Sequence, residues 1–357
     1  MSRRAVLASM ARGTAGIAAA SAGATVLLGS CSSRTRTDND GRLVVYAAGP
    51  RRLAEAMAAR FAETSGTKVD LFTATTGQIL AKVEAERLNP RADVLILASG
   101  LAAEWLRREG RLLELDLGEA VMSGSAAERG WNDPHDMFVA TGAACVGIAA
   151  RRGWTRGTES WASMLDGGFV DDTGRPGRVV MPSPARSGTS GDFVIQWTLD
   201  AGERAWELLI AARHRGIFEV KGANSEALNS LRMGETQAIM AAVDYLVCDA
   251  IARGEPMELH FPAAGAPIVT RPACILKSTR RPSAARSFIA SVLGEPIQQM
   301  VADANLIPAN PAIALSPVRA AAGMPTPMPL DLDRAIDEQR TILRRFQYEV
   351  ERLVVRG

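Results

Sequence analysis

Short apolar runs alternate with amphipathic stretches along most of this chain. Residues 43–46 predict a strand, and Leu53, Met57 and Phe61 then recur at helical spacing. The run at 92–97 is apolar almost throughout, which is typical of a strand buried on both faces. Further strands are predicted at 68–72, 178–181 and 237–243, crossing segments at 138–150 and 262–277, and helices at 192–199, 203–213, 225–232 and 331–352. Strand, turn, helix and strand in this order predict an α/β fold with mainly parallel sheets covered by helices.

Three turns follow the first three predicted strands. In sheets of this kind the ligand crevice lies at the carboxyl ends of the strands. The turn residues are therefore candidate ligand contacts. They are Ala48 and Gly49 after the first strand, Thr75, Thr76 and Gly77 after the second, and Ser99 after the third.

The composition is that of an ordinary globular protein large enough for two domains. The chain has 357 residues, of which 47% are hydrophobic and 22% charged, and its formal net charge is +2. The first 30 residues hold three arginines and no acidic residue, which leaves 38 basic against 39 acidic residues in the remainder. A near-neutral body gives no reason to expect a nucleic-acid partner.

The first 30 residues predict an export signal. Arg3 and Arg4 precede a weakly apolar Ala- and Gly-rich run, and the pair resembles a twin-arginine signal. Leu28-Gly29-Ser30-Cys31 resembles a lipobox, in which Cys31 becomes the acylated N-terminus. Residues 31–40 are then a polar tether. The alternatives are a plain signal peptide with an incidental cysteine, or a transmembrane anchor, for which the interrupted run is poorly suited.

Neither a metal site nor a catalytic motif is evident in the body of the chain. Cys145, Cys248 and Cys274 fit no metal-binding spacing and are expected to be buried free thiols. The three histidines have no metal-ligand neighbour at helical spacing. Ser65-Gly66-Thr67-Lys68 matches an S-x-x-K pattern, but the glycine separates a helix from a strand, so the two groups would not share a helical turn. We therefore expect no enzyme activity and no cofactor.

An ordered set of motifs resembles the type 2 periplasmic solute-binding proteins of ABC importers, in the subgroup of ferric-ion and 2-aminoethylphosphonate binders. The motifs are Val44-Val45-Tyr46-Ala47-Ala48-Gly49, Thr75-Thr76-Gly77, Asn89-Pro90-Arg91-Ala92-Asp93-Val94, the loop Pro182–Gly191, Ser225-Glu226-Ala227-Leu228 and Gly234-Glu235. The resemblance implies two α/β lobes joined by two crossing strands, with solute held between them and released to a permease. The first lobe would comprise residues 41–138 and 266–357, and the second 139–265. A monomer, attached to a membrane only by its lipid, is expected.

The residues themselves favour an oxyanion as the solute. Ser187, Gly188, Thr189 and Ser190 precede a predicted helix, whose free N–H groups and dipole attract negative charge. The Thr75–Gly77 turn forms a second such point, and in the family's arrangement the two would face each other across the crevice. The alternative for each is an ordinary helix cap. Thr141, in the first crossing segment, is included as a further candidate contact.

Asp244 and Tyr245 follow a buried strand at the rim of the second lobe. The carboxylate could pair with an ammonium group of the ligand, which would suit 2-aminoethylphosphonate, or the two residues could be a cap and a packed ring. Ferric ion is the alternative solute, but it needs several phenolates, and the chain has only Tyr46, Tyr245 and Tyr348. An envelope scaffold or sensor is the alternative from another functional class.

Overall fold

The computed structural model describes residues 41–118, 129–154 and 156–352. The predicted export signal, the lipobox with Cys31 and the tether lie outside the described residues. The strands are β1 Leu43–Ala48, β2 Val69–Ala74, β3 Val94–Ile96, β4 Leu112–Leu113, β5 Phe138–Arg151, β6 Val179–Pro182, β7 Phe218–Lys221, β8 Ala238–Val243, β9 Met257–His260, β10 Ile268–Leu276 and β11 Ile307–Pro308.

The helices of the described residues fall between these strands or follow them. They are α1 Arg51–Ser65, α2 Thr76–Ala85, α3 Gly100–Arg108, α4 Ser163–Asp166, α5 Gly188–Ala201, α6 Glu203–His214, α7 Asn224–Arg232, α8 Asp244–Ala252, α9 Pro282–Leu293, α10 Glu295–Asp303, α11 Pro317–Ala321 and α12 Leu332–Arg345, which continues as a π-helix over Phe346–Glu351. No helix among the described residues is both long and apolar enough to cross a membrane.

The long strand β5 joins two halves of one sheet, whose strand order is β2-β1-β3-β10-β5-β8-β6-β7. In the first half, β1 pairs in parallel with β2 and β3, and residues 138–145 of β5 pair antiparallel with β10. In the second half, β6 pairs in parallel with β7 and β8, and residues 146–151 of β5 pair antiparallel with β8 and β9. The predicted α/β class with two mainly parallel parts is confirmed.

Helices cover both faces of the first half. Leu43, Val45 and Ala47 of β1 face a core shared with α1, α9 and α10, whereas Val44 and Tyr46 face a core shared with α2 and α3. This alternation follows from the two-residue repeat of a strand, and it explains why the whole of β1 is apolar.

Helix α12 bridges the two halves. Its Ile336 and Ile342 belong to the core of the second half, together with Phe193 of α5 and Leu101 of α3. At one end Arg108 of α3 forms an ion pair with Asp333, 2.5 Å apart. The halves are therefore packed directly against each other in this structure.

Most predicted elements are confirmed with shifted ends. Helix α1 buries Leu53, Met57 and Phe61 as predicted, and Gly66 ends it in the left-handed conformation, with φ of 72°. The helix predicted from Asp192 begins earlier, at Gly188, because the Ser187 side chain caps it. The predicted free thiols are confirmed, since Cys145, Cys248 and Cys274 are buried and unbridged.

Candidate functional site

Three helices begin where the parallel strands of the first half end. Strand β1 runs through Ala48 and Gly49 into α1, β2 runs through Thr75 into α2, and β3 is followed by Ser99, which caps α3. Since the carboxyl ends of parallel strands meet at one edge of a sheet, these turns lie along the same edge of the first half, where the sequence analysis expects the crevice.

The start of α5, from the second half, touches two of these turns. A Cβ atom on Gly188 would lie 2.8 Å from the Ala98 carbonyl oxygen and 3.0 Å from Oγ1 of Thr76. A Cβ atom on Gly77 would lie 2.8 Å from the carbonyl oxygen of Ala185. The two segments predicted to face each other thus lie in contact, and glycine is what allows the close approach.

Local hydrogen bonds occupy several of the predicted hydroxyl groups. Thr75 is half of a capping box with Gln78, and Oγ1 of Thr76 accepts a hydrogen bond from the Ala98 N–H at 3.0 Å. Ser187 accepts from the N–H of Ser190 at 3.2 Å as the cap of α5. The contacts of Thr75 and Ser187 are the helix-cap roles that the sequence left open as the alternative, whereas the Thr76 contact ties α2 to the turn after β3.

The hydroxyl groups at the start of α5 form a small buried cluster. Oγ of Ser187 lies 2.9 Å from Oγ1 of Thr189 and donates to Oδ1 of Asn224 at 3.0 Å. Ser190 donates instead to the carbonyl oxygen of Pro182 at 2.6 Å, so its hydroxyl is directed into the second half. Asn224 begins α7, which brings a third element of the second half to this point.

A carboxyl group that was not predicted lies at the start of α3. Oγ of Ser99 donates to Oδ1 of Asp192 at 2.6 Å, and the Gly100 N–H donates to the same carboxyl group. Asp192 is 5% exposed, and burial raises its pKa to about 7 against the lowering effect of these two donors. This contact joins α3 of the first half to α5 of the second.

A buried arginine lies beside the β1–α1 turn. Nη2 of Arg271, on β10, donates to the carbonyl oxygen of Ala48, and a Cβ atom on Gly49 would overlap the guanidinium. Thr141 does not present its hydroxyl to the crevice, because Oγ1 donates to the carbonyl oxygen of Arg271 at 2.8 Å. The predicted contact Thr141 therefore holds the backbone that carries the arginine.

Asp244 begins α8 in an internal ion pair, not at an open rim. Its Oδ2 lies 2.9 Å from Nε of Arg319, without the alignment of a hydrogen bond, and both side chains are 0% exposed. Oδ1 accepts from the N–H of Tyr245 at 2.7 Å. Burial raises the pKa of Asp244 to about 6, and Arg319 opposes that rise. The carboxylate predicted to meet a ligand's ammonium group is committed to Arg319 in this structure.

The three phenols of the chain lie apart. Tyr46 donates to Glu86 at 2.9 Å on the α2 side of the first half, and burial with this neighbour raises its pKa. Tyr245 packs in the core on the opposite face, and Tyr348 is 60% exposed in the terminal π-helix. Among the described residues, no group of three or more His, Cys, Asp or Glu could hold a metal ion.

The sequence did not single out Asp192 or Arg271, although each carries a readable signal. Asp192 is followed by Phe193-Val194-Ile195, and Arg271 interrupts a largely apolar strand. Charged residues are rarely buried unless they are paired, so a charge inside such a stretch marks a position that deserves scrutiny.

A two-lobed α/β fold with a crevice at the strand ends defines a type 2 periplasmic binding protein. Residues 43–304 match the family model described as bacterial extracellular solute-binding protein, and the chain belongs to this family. No curated protein sequence matches the chain. The members of the bacterial extracellular solute-binding family are solute-binding components of ABC importers, and they act outside the cytoplasm.

Several solved structures share the fold at low sequence identity. The periplasmic binding protein P5PA is 20% identical, with a TM-score of 0.75 over 87% of this chain and 100% of that chain. The ferric binding protein from Campylobacter jejuni is 17% identical, with a TM-score of 0.74 over 86% and 99%. AfuA from Actinobacillus pleuropneumoniae, solved with fructose-6-phosphate, is 20% identical, with a TM-score of 0.73 over 87% and 99%. At this identity the likeness concerns the fold alone.

Proposed function

We propose that this protein captures a small oxyanion, such as a phosphonate, in the crevice and delivers it to an ABC permease. The observation that carries the proposal is the contact between the starts of α2 and α5 across the crevice. Residues 41–138 with 266–357 form one lobe and 139–265 the other. Strand β5 crosses between the two proposed lobes, and it changes partners from β10 to β8 between Cys145 and Val146.

Helix starts favour an anion for a simple electrostatic reason. The first N–H groups of a helix have no partner within the helix, and the helix dipole adds partial positive charge there. Each start contributes about 0.3–1 kcal/mol, and more where water is excluded. Two starts facing one point, with the Thr189 hydroxyl beside them, suit phosphonate or phosphate oxygens. The fructose-6-phosphate held by AfuA is a solute of the same chemical kind.

Ferric ion is the weaker candidate because the phenols do not converge. A phenolate site needs its tyrosines on one side of the crevice, whereas Tyr46 and Tyr245 belong to cores on opposite faces of the first half. Tyr348 lies on the terminal π-helix and is 60% exposed. A carrier of an organic or inorganic oxyanion fits these positions better.

In the proposed role the protein is a carrier and performs no catalysis. The chain is exported through residues 1–30, acylated at Cys31 and active as a monomer on the outer face of a membrane. It needs neither cofactor nor nucleic acid. Mass spectrometry of the mature N-terminus tests the anchor, and an N-terminus other than a lipid-modified Cys31 would refute that part.

Thermal unfolding with a panel of anions tests the proposed solute class. The probes are methylphosphonate, 2-aminoethylphosphonate, phosphate, fructose-6-phosphate, sulfate and ferric citrate. A ligand at 100 times its Kd adds about 2.7 kcal/mol to the free energy of unfolding, which is a clear rise in Tm. Stabilisation by ferric citrate alone, with phenolate colour, would show that the ferric alternative is correct.

Two threonines of α5 provide a matched pair of variants. Thr189→Val removes the hydroxyl at the crevice, whereas Thr198→Val removes one that donates to Val194 inside the same helix at 2.7 Å. Both side chains are buried. We expect Thr189→Val to lose the rise in Tm caused by the anion and Thr198→Val to keep it. If the anion raises the Tm of the two variants equally, the Thr189 hydroxyl does not contact the anion and only takes part in the hydrogen bonds at the start of α5.

A further inference from the structure

Among the described residues, the guanidinium of Arg271 is a buried charged group with an unsatisfied hydrogen-bond donor. The side chain is 4% exposed, and its Nη2 is bonded to the carbonyl oxygen of Ala48. Nη1 is also buried, and it has no hydrogen-bond acceptor among the described residues. A buried donor without an acceptor is costly, and a charged one more so. A partner for Nη1 is therefore expected at this position.

The turn after β1 is shaped around this guanidinium. A Cβ atom on Gly49 would overlap Nη2 and lie 2.8 Å from Cζ, so a side chain at this position would force the guanidinium to move. Gly49 also has a φ of 116°, which other residues rarely adopt. The backbone of β10 shifts its register between Thr270 and Pro272, so the arginine lies at an irregularity of the strand.

The position of Arg271 is at the crevice. The Ala48 carbonyl lies at the carboxyl end of β1, where α1 begins without a side-chain cap. Thr270, which precedes Arg271 on β10, lies next to the start of α3, since a Cβ atom on Gly100 would lie 2.7 Å from Oγ1 of Thr270. From the second half, Asp244 and Tyr245 are close enough to act electrostatically on the guanidinium.

The charges around Arg271 do not balance. Arg319 and Arg271 are two buried cations, and among the described residues Asp244 is the carboxylate that acts on both. The pKa of Asp244 is raised to about 6, so it is largely ionised at pH 7, while burial keeps the Cys145 thiol and the Tyr245 phenol neutral by raising their pKa values. Within the part of the chain that the structure describes, one positive charge therefore has no compensating carboxylate, and such a charge in the interior is strongly unfavourable.

We propose that Arg271 is the cationic anchor of the solute site, where Nη1 donates to an oxygen of a tetrahedral oxyanion group over the β1–α1 turn. This inference rests on the proposed function of the crevice and sharpens it. The solute carries a full negative charge on a phosphonate or phosphate group, because a neutral solute would leave the guanidinium uncompensated. The helix starts orient this group, and Arg271 selects it by charge.

Affinity measurements on three variants test the anchor. Arg271→Gln keeps a donor for Ala48 but removes the charge, and Arg271→Lys keeps the charge without the fork of donors. Arg186→Gln is the control, because this arginine lies in the loop before α5 but is 56% exposed and 3.5 Å from Glu226. Isothermal titration with methylphosphonate and inorganic phosphate gives the affinities.

Arg271→Gln should weaken binding about 10- to 100-fold, the range expected for loss of a charge-assisted hydrogen bond. Arg271→Lys should recover part of this loss, and Arg186→Gln should change the affinity about twofold or less, as an exposed charge does. If the wild-type protein binds and Arg271→Gln binds equally well, the anchor is refuted while the oxyanion function stands. If neither these two anions nor the other oxyanions of the thermal panel bind the wild-type protein, the proposed function itself fails.

A measurement on the wild-type protein covers the case in which Arg271→Gln does not fold. The ¹⁵N resonances of the Arg271 guanidinium are assigned by their absence in Arg271→Lys and followed during titration with methylphosphonate. A saturating shift of these resonances supports the anchor. Binding that leaves them unmoved refutes it.

Discussion

Gly188→Ala should keep the two halves from closing without unfolding either of them. The added methyl group would lie 2.8 Å from the Ala98 carbonyl oxygen and 3.0 Å from Oγ1 of Thr76, both on the opposite half. The first of these neighbours is backbone and cannot rotate away. The neighbours that the methyl group would meet belong to the opposite half, so this clash exists only when the halves are in contact.

The expected magnitude follows from the size of the overlap. Real Cβ atoms essentially never approach another atom closer than 3.0 Å, so α5 or the Ala98 turn must move. Forcing an extra methyl group into packed surroundings costs about 1–3 kcal/mol. If all of this cost falls on closure, the equilibrium between open and closed forms shifts about 5- to 150-fold towards the open form.

Gly191→Ala, three residues further along α5, is the matched control. A Cβ atom there would lie 3.6 Å from its nearest neighbour, the Pro184 carbonyl oxygen, which is an ordinary contact. Replacing glycine by alanine inside a helix favours the helix by up to about 1 kcal/mol, so this variant should be at least as stable as the wild-type protein.

Small-angle X-ray scattering measures closure without any assumption about the solute. Gly188→Ala should show a larger radius of gyration than Gly191→Ala, with the two variants differing little in Tm. Solute affinity, measured by titration, should fall for Gly188→Ala alone. Identical scattering and identical affinity for the two variants would mean that the contact between α5 and the first half is not part of the closed form.

Two predictions concern buried charges. Burial raises the pKa of Asp192 to about 7. The folded protein therefore holds a proton that the unfolded chain releases above about pH 4. The stability linked to this proton is fully present below pH 4 and is lost as the pH rises towards 7. Asp192→Asn can still accept from Ser99 and carries no charge. This variant should therefore raise the free energy of unfolding by up to about 4 kcal/mol at pH 8 and change it little at pH 4. A Tm difference between the variant and the wild-type protein that does not grow with pH would contradict this reasoning. Arg319→Met should lower the free energy of unfolding by about 3–5 kcal/mol in urea titrations, because it leaves Asp244 buried and unpaired, and Asp244→Asn in the same chain should restore part of the loss. If Arg319→Met changes the free energy of unfolding only slightly, water reaches the Asp244–Arg319 pair.

The sequence was sufficient for the elements whose pattern is local. Strand β1 and helix α1 are predicted because their apolar residues repeat every two or every three to four positions, and both are observed. Strands β7 and β9 were not predicted. Phe218–Lys221 and Met257–His260 are four residues each and bury only their first residue, which is too weak a pattern to separate from a loop.

The start of α5 shows how a contact can override local preference. Ser187 to Gly191 contains two glycines and three hydroxyl residues, a composition that favours a loop by propensity. The structure makes residues 188–191 helical, because Ser187 caps the first turn and the Ser190 hydroxyl is satisfied by Pro182. These partners could not be inferred from spacing along the chain.

The turns at the strand ends were predictable, but the charged residues beside them were not. The turns after β1, β2 and β3 follow from the strand–helix order alone, whereas Ser99 meets Asp192 across 93 positions and Ala48 meets Arg271 across 223. No repeat or motif links residues so far apart in one sequence. Only the fold brings them together.

The partners observed for the hydroxyl groups also change which force can select the solute. The sequence analysis expected neutral dipoles to hold the anion, but Thr76 accepts from a backbone N–H and Ser187 is engaged with Asn224. The Ser187 hydroxyl gives up its bond to Asn224 when it turns to a ligand, whereas the Thr76 hydroxyl keeps its own O–H as a donor, and such neutral donors contribute less than a charged one. The buried Nη1 of Arg271 loses nothing, because it has no acceptor among the described residues. Selection by charge at Arg271, with the helix starts adding orientation, is therefore the arrangement that the energetics favour.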